Sequence, residues 1–513
     1  MSESSEAPRG ADDPAAHDSH QLARGAAANA LVLVAANFRG VFTFLIARLL
    51  GEAALGRFGL LFATTDLLSK AGMLGLDAGI VPILASRVAA GDGAGARRLF
   101  HRGLGLAVLV SAALTIVAIP AIVWLARARS LDAFSGGSVM MLLALPAIAA
   151  TRISTGASRS VLAMHNEFYS RGLTETWVTT GVFVAAVALG MRDIAPSLAV
   201  VVGITASALV AYALAARALG AVGGSLETGR PATWNAVRFS APIAGSSLLN
   251  VLVLQIDVLL LGAYVGRAPG VSVATFGVFC AAAEVAGGMR KVRQVFDPIF
   301  APVVAARAAS AARGSLRETV AAPSRWVLAA QLPLVGALLL SSGLVMSIYG
   351  PGFRQGALWL ALLGLAHGAN SFAGLVETLI MIERPALNLF NAAATVVVQL
   401  VTGVVLIPRL GATGAALAMC AGFTVQGVLR FAEVRHVFGW SWPWPPLWRP
   451  LVAFALALAP ATVVRALAPS DGLLWEFCAG ALFLALYASA WRLMGADPAD
   501  REVWRRLVGR AIS

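Results

Sequence analysis

Apolar runs of about 20 residues recur along the whole chain, a length that matches the hydrocarbon core of a lipid bilayer. Charged residues make up only 13% of the 513 residues and hydrophobic residues 58%, whereas soluble domains carry roughly 25% charged residues. The sequence therefore predicts an all-α polytopic membrane protein. Its spans, about fourteen in number, are predicted at 25–47, 57–82, 103–126, 137–163, 172–191, 195–217, 239–264, 271–300, 324–348, 355–382, 386–408, 411–432, 450–468 and 472–491.

Lysine and arginine residues are distributed unevenly between the two sides of these spans. With the amino terminus inside the cell, inner segments and tails carry 27 of the 39 basic residues and outer loops carry 9, while Arg39, Lys70 and Arg152 lie within spans. Because cytoplasmic loops are enriched in basic residues, this pattern predicts that both termini are cytoplasmic. It also explains the net charge of +13 without nucleic-acid binding, since no basic run is interleaved with aromatic residues outside the loops.

The two halves of the chain repeat each other at an offset of 218 residues. An FG dipeptide lies seven residues before Asp66, and another lies seven residues before Glu284. Each repeat holds six spans, so the second copy enters the membrane from the same side and the repeats are predicted to be parallel. The predicted units are a disordered cytoplasmic tail at 1–23, an amino-terminal lobe at 24–219, a carboxy-terminal lobe at 234–437, an accessory two-helix hairpin at 447–492 and a cytoplasmic tail at 493–513.

Three charges lie inside the second span, in the segment DLLSKAGMLGLDAGIVP at 66–82. On a continuous helix, 100° per residue places Asp66, Lys70 and Asp77 within about 40° of one another. A charge at the centre of a membrane helix costs roughly 2.5–3.5 kcal/mol, so this stripe predicts an interior lined by protein or water. The spacing of four residues, with the acid first, predicts an ion pair in which Lys70 tunes the protonation of Asp66.

Two segments and one arrangement are similar to a known family. The segments are RLLGEAALGRFGLLFATTDLLSKAGMLGLDAGIVPILASR at 48–87 and QIDVLLLG at 255–262, and the arrangement is six plus six plus two spans. They resemble the polysaccharide transporter family, the O-antigen and exopolysaccharide flippases of the multidrug/oligosaccharidyl-lipid/polysaccharide exporter superfamily. This resemblance implies a transporter of the bacterial inner membrane that moves a polyprenyl-diphosphate-linked oligosaccharide from the inner to the outer leaflet by alternating access, for cell-surface polysaccharide synthesis.

A lipid diphosphate would need cations inside the membrane, and arginine suits it because the guanidinium donates two parallel hydrogen bonds and stays charged. An alternative role for each deep arginine is to pair with a carboxylate that holds the bundle together, and Lys291 has the alternative of reaching the headgroups. The acids are candidates for binding a coupling proton or sodium ion. The predicted diphosphate-binding residues are Arg39, Arg152, Lys70 and Lys291, and the predicted coupling or gating acids are Asp66, Asp77, Glu284 and Asp257.

The histidines show no metal-ligand spacing, and no glycine-rich phosphate loop is present, so neither a metal nor another cofactor is expected. The expected partners are the lipid-linked oligosaccharide and membrane lipid, with a polysaccharide polymerase and glycosyltransferases as further candidates. Two other functions stay open. A multidrug or cation antiporter of the same superfamily would need an anionic cavity, and a membrane glycosyltransferase or polymerase would need a large outer loop with acids or histidine.

Reporter fusions test the predicted topology. Fusions at residues 20 and 505 and near 310 should report cytoplasm, because they lie in the basic segments, and fusions near 130, 268 and 352 should report the outside. An inverted result at any of the central loops would contradict the arrangement of fourteen spans.

Overall fold

The computed structural model describes residues 38–128, 136–223, 233–294, 316–439, 447–467 and 472–494, and all regular structure within them is helical. Within the described residues, eleven helices are long and apolar enough to cross a membrane, which confirms the predicted all-α polytopic fold. The helices are α1 (Phe38–Leu50), α2 (Glu52–Gly72), α3 (Leu76–Ala89), α4 (Gly93–Ala128), α5 (Leu145–Ser160), α6 (Thr176–Ala188), α7 (Ala195–Gly220), α8 (Thr233–Ala263), α9 (Val273–Gly287), α10 (Leu316–Tyr349), α11 (Ala357–Glu383), α12 (Pro385–Leu410), α13 (Ala412–Phe438), α14 (Trp448–Ala466) and α15 (Leu473–Leu493).

We call α1–α7 the amino-terminal lobe and α8–α13 the carboxy-terminal lobe. The boundaries of the two lobes are a prediction from the sequence. A 3-10 helix (Gly136–Ala144) leads into α5, and a one-turn helix (His165–Glu167) followed by a π-helix (Phe168–Glu175) leads into α6. Another 3-10 helix (Pro351–Gly356) precedes α11. One large hydrophobic core contains buried residues from both lobes, for example Phe58 and Phe276, so the lobes pack directly against each other.

The predicted second span is two helices, not one. Helix α2 ends at Gly72 and α3 begins at Leu76, because Leu74 and Gly75 adopt positive φ angles of 53° and 74°. Glycine adopts this left-handed conformation without steric cost. It also leaves room for α8, since a side chain at position 75 would collide with the backbone oxygen of Ser240. The break therefore lies where the two lobes touch.

Helices α2 and α9, which correspond in the two repeats, cross at glycines. A Cβ atom added to Gly56 would collide with the backbone oxygen of Val273, and one added to Gly277 would collide with the backbone oxygen of Glu52. Small residues let membrane helices approach to backbone contact. The lobes are thus joined at one end by α2 against α9, and at the other end of the α2–α3 segment by Gly75 against Ser240.

The hairpin of α14 and α15 is attached to α10 through a buried carboxylate. Glu476 is 3% exposed, accepts a hydrogen bond of 2.6 Å from the backbone N–H of Leu344 and lies 3.0 Å from Arg465. Helix α10 is kinked at Ser341, where φ is −122°, and the Ser341 hydroxyl donates to the backbone oxygen of Glu476. A kink leaves backbone groups without hydrogen-bond partners inside the helix. Here Glu476 of α15 accepts from one of these groups, the N–H of Leu344.

A second buried carboxylate fixes the connection between α5 and the π-helix. Glu167 is 7% exposed and accepts hydrogen bonds from Arg159 at 2.6 Å and from Arg171 at 2.8 Å. Burial alone would raise the pKa of Glu167, but the two guanidinium groups outweigh it and hold this pKa below its usual value. The stability that this cluster contributes is therefore present above the unfolded-state pKa and is lost as the pH falls through the lowered one.

Substitution of Gly277 tests the close crossing of α2 and α9. Gly277→Ala should destabilise the protein by about 1–3 kcal/mol, because a methyl group forces two backbones apart. Gly245→Ala in α8 is the matched control, since nothing lies within 4 Å of a Cβ atom there and alanine favours a helix by up to about 1 kcal/mol. Thermal unfolding in detergent should show a lower midpoint for the first variant only; equal midpoints would contradict the crossing.

Candidate functional site: a central cavity between the lobes

A cavity of about 320 Å³ lies where α2 of the amino-terminal lobe faces α8 and α9 of the carboxy-terminal lobe. We call it the central cavity. Aromatic and aliphatic side chains form part of its wall, and Phe58 and Leu254 are examples. The polar part combines acids, bases and an amide, which is unusual inside a membrane. The charged and amide residues among them are Asp66 from α2, Gln255 and Asp257 from α8, Glu284 from α9, and Arg290 and Lys291 from the segment that follows α9, and the wall also contains Thr43 of α1 and His367 of α11.

Asp66 bridges the two lobes across this cavity. Its carboxylate accepts a hydrogen bond of 2.6 Å from the side-chain amide of Gln255. Gln255 belongs to the QIDVLLLG segment on which the family resemblance rests. A charge-assisted hydrogen bond of this kind is roughly twice as strong as a neutral one, so it stabilises the observed arrangement of the lobes.

Lys70 pairs with Asp77, not with Asp66, and the predicted ion pair is therefore wrong. The Lys70 ammonium lies 3.0 Å from the Asp77 carboxylate, and their side chains are only 18% and 14% exposed. The prediction assumed one continuous helix from 66 to 82. Because the chain turns at Leu74 and Gly75, Asp77 folds back towards Lys70, and neither residue lines the central cavity.

Asp257 is the most buried acid of the central cavity. It is 2% exposed, and neither of its carboxylate oxygens has a hydrogen-bond partner in the part of the chain that the structure describes. A buried, ionised carboxylate without partners costs several kcal/mol. This site is therefore chemically suited to take up a proton or a cation.

Two cations lie at the end of the central cavity where α9 ends. Lys291 was predicted from the sequence as a substrate-binding residue, and the structure places it in the cavity wall beside Arg290. Arg290 was not predicted. It belongs to the segment MRKVR at 289–293, which hydropathy assigns to the cytoplasmic end of a helix. Arg290 stands out only in the structure, where it lines a second cavity as well as this one.

Of the two deep arginines predicted from the sequence, one has a described side chain. Arg152 of α5 lies beside a smaller cavity of about 80 Å³, together with Arg171 and Glu175. Asp66 lines this smaller cavity as well as the central cavity. Its carboxylate therefore lies between Arg152 and the central cavity. The side chain of Arg39 lies outside the described residues.

The carboxy-terminal lobe contains its own cavity, of about 510 Å³, enclosed by α8, α11, α12, α13 and the segment after α9. We call it the C-lobe cavity. In its wall, Glu377 lies 2.9 Å from both Arg293 and Arg430, and Arg430 also donates to Asn370 at 3.0 Å. Arg430 is 3% exposed but was not predicted as a site residue. It lies near the end of the predicted span at 411–432 and was counted with the cytoplasmic segment that follows.

Comparison with known proteins gives a family and a fold. Residues 22–287, just over half of the chain, match the family described as polysaccharide biosynthesis protein. A search of curated protein sequences finds no match. The fold is similar to that of the lipid II flippase MurJ in an inward closed conformation, with a TM-score of 0.65, 13% sequence identity, and coverage of 90% of this chain and 98% of that chain.

Two further solved structures have a similar fold. One is an inward-facing multidrug resistance MATE family transporter of the MOP superfamily, with a TM-score of 0.66 and 16% identity over 79% of this chain and 94% of that chain. The other is a MOP superfamily transporter from Pyrococcus furiosus, with a TM-score of 0.57 and 15% identity over 82% of this chain and 95% of that chain. At such identities the likeness establishes the fold alone.

A double-mutant cycle tests the corrected pairing of Lys70. Lys70→Ala and Asp77→Ala should each lower the thermal unfolding midpoint in detergent, and their effects should be coupled by about 0.5–3 kcal/mol because the residues form one buried pair. Lys70→Ala and Asp66→Asn should instead add within about 0.5 kcal/mol. Coupling of Lys70 to Asp66 rather than to Asp77 would restore the original interpretation.

Proposed function

This chain belongs to the polysaccharide biosynthesis protein family, and we propose that it is a flippase for a polyprenyl-diphosphate-linked oligosaccharide. Family and fold together indicate a membrane transporter. The observation that carries the finer proposal is the pair Arg290 and Lys291 in a cavity between two membrane-embedded lobes. The arginine and lysine side chains in this cavity would hold the diphosphate, which is the group of such a lipid that costs most to move through hydrocarbon.

The acids of the central cavity support coupling to a cation. A diphosphate with about two negative charges would share the cavity with Asp66, Asp257 and Glu284, and Arg290 and Lys291 do not neutralise all of them. Entry of the substrate would therefore favour uptake of protons or cations at these carboxylates, because like charges in a low-dielectric site repel strongly. Binding of substrate and of the coupling ion would thus be linked through this cavity.

Alternating access follows from where the lobes touch. On one side of the central cavity α2 crosses α9 at Gly56 and Gly277, and on the other side Gly75 and Gly79 contact Ser240 of α8. Both contacts are made by backbones and small side chains. At the crossings themselves such surfaces separate with little side-chain rearrangement, while the shared core that contains Phe58 and Phe276 would repack. Opening one contact at a time would expose the cavity to one leaflet and then to the other.

The predicted membrane and topology belong to the same proposal. Family and helices support a multi-pass membrane protein, and the basic inner segments favour the bacterial inner membrane with both termini in the cytoplasm. The Gly75–Ser240 contact would then lie towards the cytoplasm. A polysaccharide polymerase or glycosyltransferases would act on the same lipid before or after it crosses.

A second candidate function has one observation in its favour. Three carboxylates in the central cavity, from Asp66, Asp257 and Glu284, outnumber the two cations, and an anionic cavity suits a multidrug or cation antiporter. The two proposals differ in their substrate. An antiporter would move an organic cation against protons or sodium and would leave lipid-linked sugars in place.

The test is transport in liposomes that contain the purified protein. A fluorescent polyprenyl-diphosphate-linked disaccharide should cross the bilayer, as measured by chemical bleaching of the outer leaflet. Arg290→Ala and Lys291→Ala should each slow this movement by about 10- to 100-fold, since a hydrogen bond to a charged group contributes about 1.5–3 kcal/mol.

Arg57→Ala is the matched control, because Arg57 pairs at 3.4 Å with Asp193, which is 88% exposed, and exposed pairs contribute little. This variant should transport at the wild-type rate. Wild-type protein that leaves the lipid unmoved but exchanges an organic cation for protons or sodium would overturn the flippase proposal in favour of the antiporter.

A further inference from the structure

We propose that the C-lobe cavity is a sugar subsite, which holds the first sugar of the glycan while the central cavity holds the diphosphate. This inference rests on the proposed function, because it assigns a second part of the same substrate to a second cavity. The observations that carry it are the shared wall of the two cavities, the amide and hydroxyl groups in the wall of the second one, and buried polar atoms in that wall that have no partner in the described part of the chain.

The two cavities are adjacent. Leu254 and Arg290 line both of them. A substrate whose charged group binds beside Arg290 in the central cavity would therefore reach the C-lobe cavity with the group next to it. In a lipid-linked glycan the neighbour of the diphosphate is the first sugar, so the order of the cavities matches the order of groups in the substrate.

The lining of the C-lobe cavity suits hydroxyl groups. Its volume of about 510 Å³ falls within the range of about 300–1,000 Å³ typical of small-molecule sites. Amides and hydroxyls provide both donors and acceptors, which sugar hydroxyls need. The amide and hydroxyl residues in the wall are Ser246, Ser247, Asn250, Gln294, Asn370, Ser371, Asn388 and Gln426.

Three polar atoms in this wall are buried and lack a hydrogen-bond partner in the described part of the chain: Ser371 Oγ, Gln426 Oε1 and Arg430 Nε. Their residues are 2%, 4% and 3% exposed. Buried polar groups in proteins are rarely left without partners, because each costs about 1–3 kcal/mol. A hydroxyl-bearing ligand in the cavity would supply partners to these atoms.

The charges of the C-lobe cavity argue against a second diphosphate or a metal ion. Glu377 lies among the arginines and accepts hydrogen bonds from both Arg293 and Arg430, so a carboxylate already occupies the position that an anion would take. Among the described residues it is also the one carboxylate in the wall, whereas divalent cations need several oxygen ligands and seldom lie beside arginines. A neutral polar group fits this surrounding best.

The experiment measures binding of four lipids to the full-length protein in nanodiscs. The lipids share one polyprenyl diphosphate and carry no sugar, glucose, galactose or N-acetylglucosamine. For the wild-type protein, at least one glycosylated lipid should bind about 10-fold more tightly than the bare diphosphate, since two hydrogen bonds of about 0.7 kcal/mol each contribute that much.

The informative variants remove the unsatisfied atoms. Ser371→Ala and Gln426→Met should reduce the preference for the glycosylated lipid to less than about 3-fold and leave affinity for the bare diphosphate unchanged. Neither should lower the unfolding midpoint, because the atoms removed have no partner in the free protein. Ser207→Ala is the matched control, since Ser207 Oγ in α7 is equally buried and without a partner but lines neither cavity.

The possible results separate the two proposals. Equal binding of all four lipids by the wild-type protein would overturn the sugar subsite and leave the flippase proposal standing. Loss of affinity for the bare diphosphate in Ser371→Ala would also overturn it, because the C-lobe cavity would then hold the diphosphate. Absence of binding by every lipid would overturn the proposed function, and this inference with it.

Discussion

The cost of a charge in hydrocarbon organises the interior of this protein. Each intramembrane charge must find a partner or a polar cavity, and the acids of α2, α8 and α9 meet in one cavity at the contact between lobes. The hydrogen bond from Gln255 to Asp66 gives one of these charges a partner and links the two lobes directly. The position of the cavity is therefore a consequence of where charge can be tolerated, and the packing of α2 against α8 and α9 follows from the same requirement.

Glycine brings the two lobes to backbone contact beside the cavity. Where α2 meets α9, and where Gly75 meets Ser240, the backbones touch with little side-chain material between them. Large side chains that interlock would stabilise one conformation, whereas small residues stabilise close packing through many weak contacts that can be lost at one end while they persist at the other. The polar cavity and its two small-residue contacts thus form a single unit between the lobes.

Hydropathy was sufficient to predict the helices, because the bilayer permits few structures other than helices across it, and it placed Asp66, Asp257, Glu284 and Lys291 in spans that meet. It was insufficient where geometry depends on tertiary contact. The left-handed turn at Leu74 and Gly75 forms where α8 approaches, and this moved Asp77, not Asp66, next to Lys70. Arg430 was not predicted for a related reason. A charge near the end of a span is assigned to the cytoplasm from the sequence, and only tertiary packing shows that it is buried.

The two cavities differ in how their carboxylates are satisfied, and this difference suggests a division of roles. Glu377 in the C-lobe cavity is held by two arginines, so its charge is compensated by the protein itself. Asp257 in the central cavity has no hydrogen-bond partner within the described ranges, so its charge depends on what enters. A carboxylate of the first kind orients neighbouring donors, and one of the second kind responds to protons or cations. We therefore propose that coupling takes place in the central cavity and that a neutral group is recognised beside it.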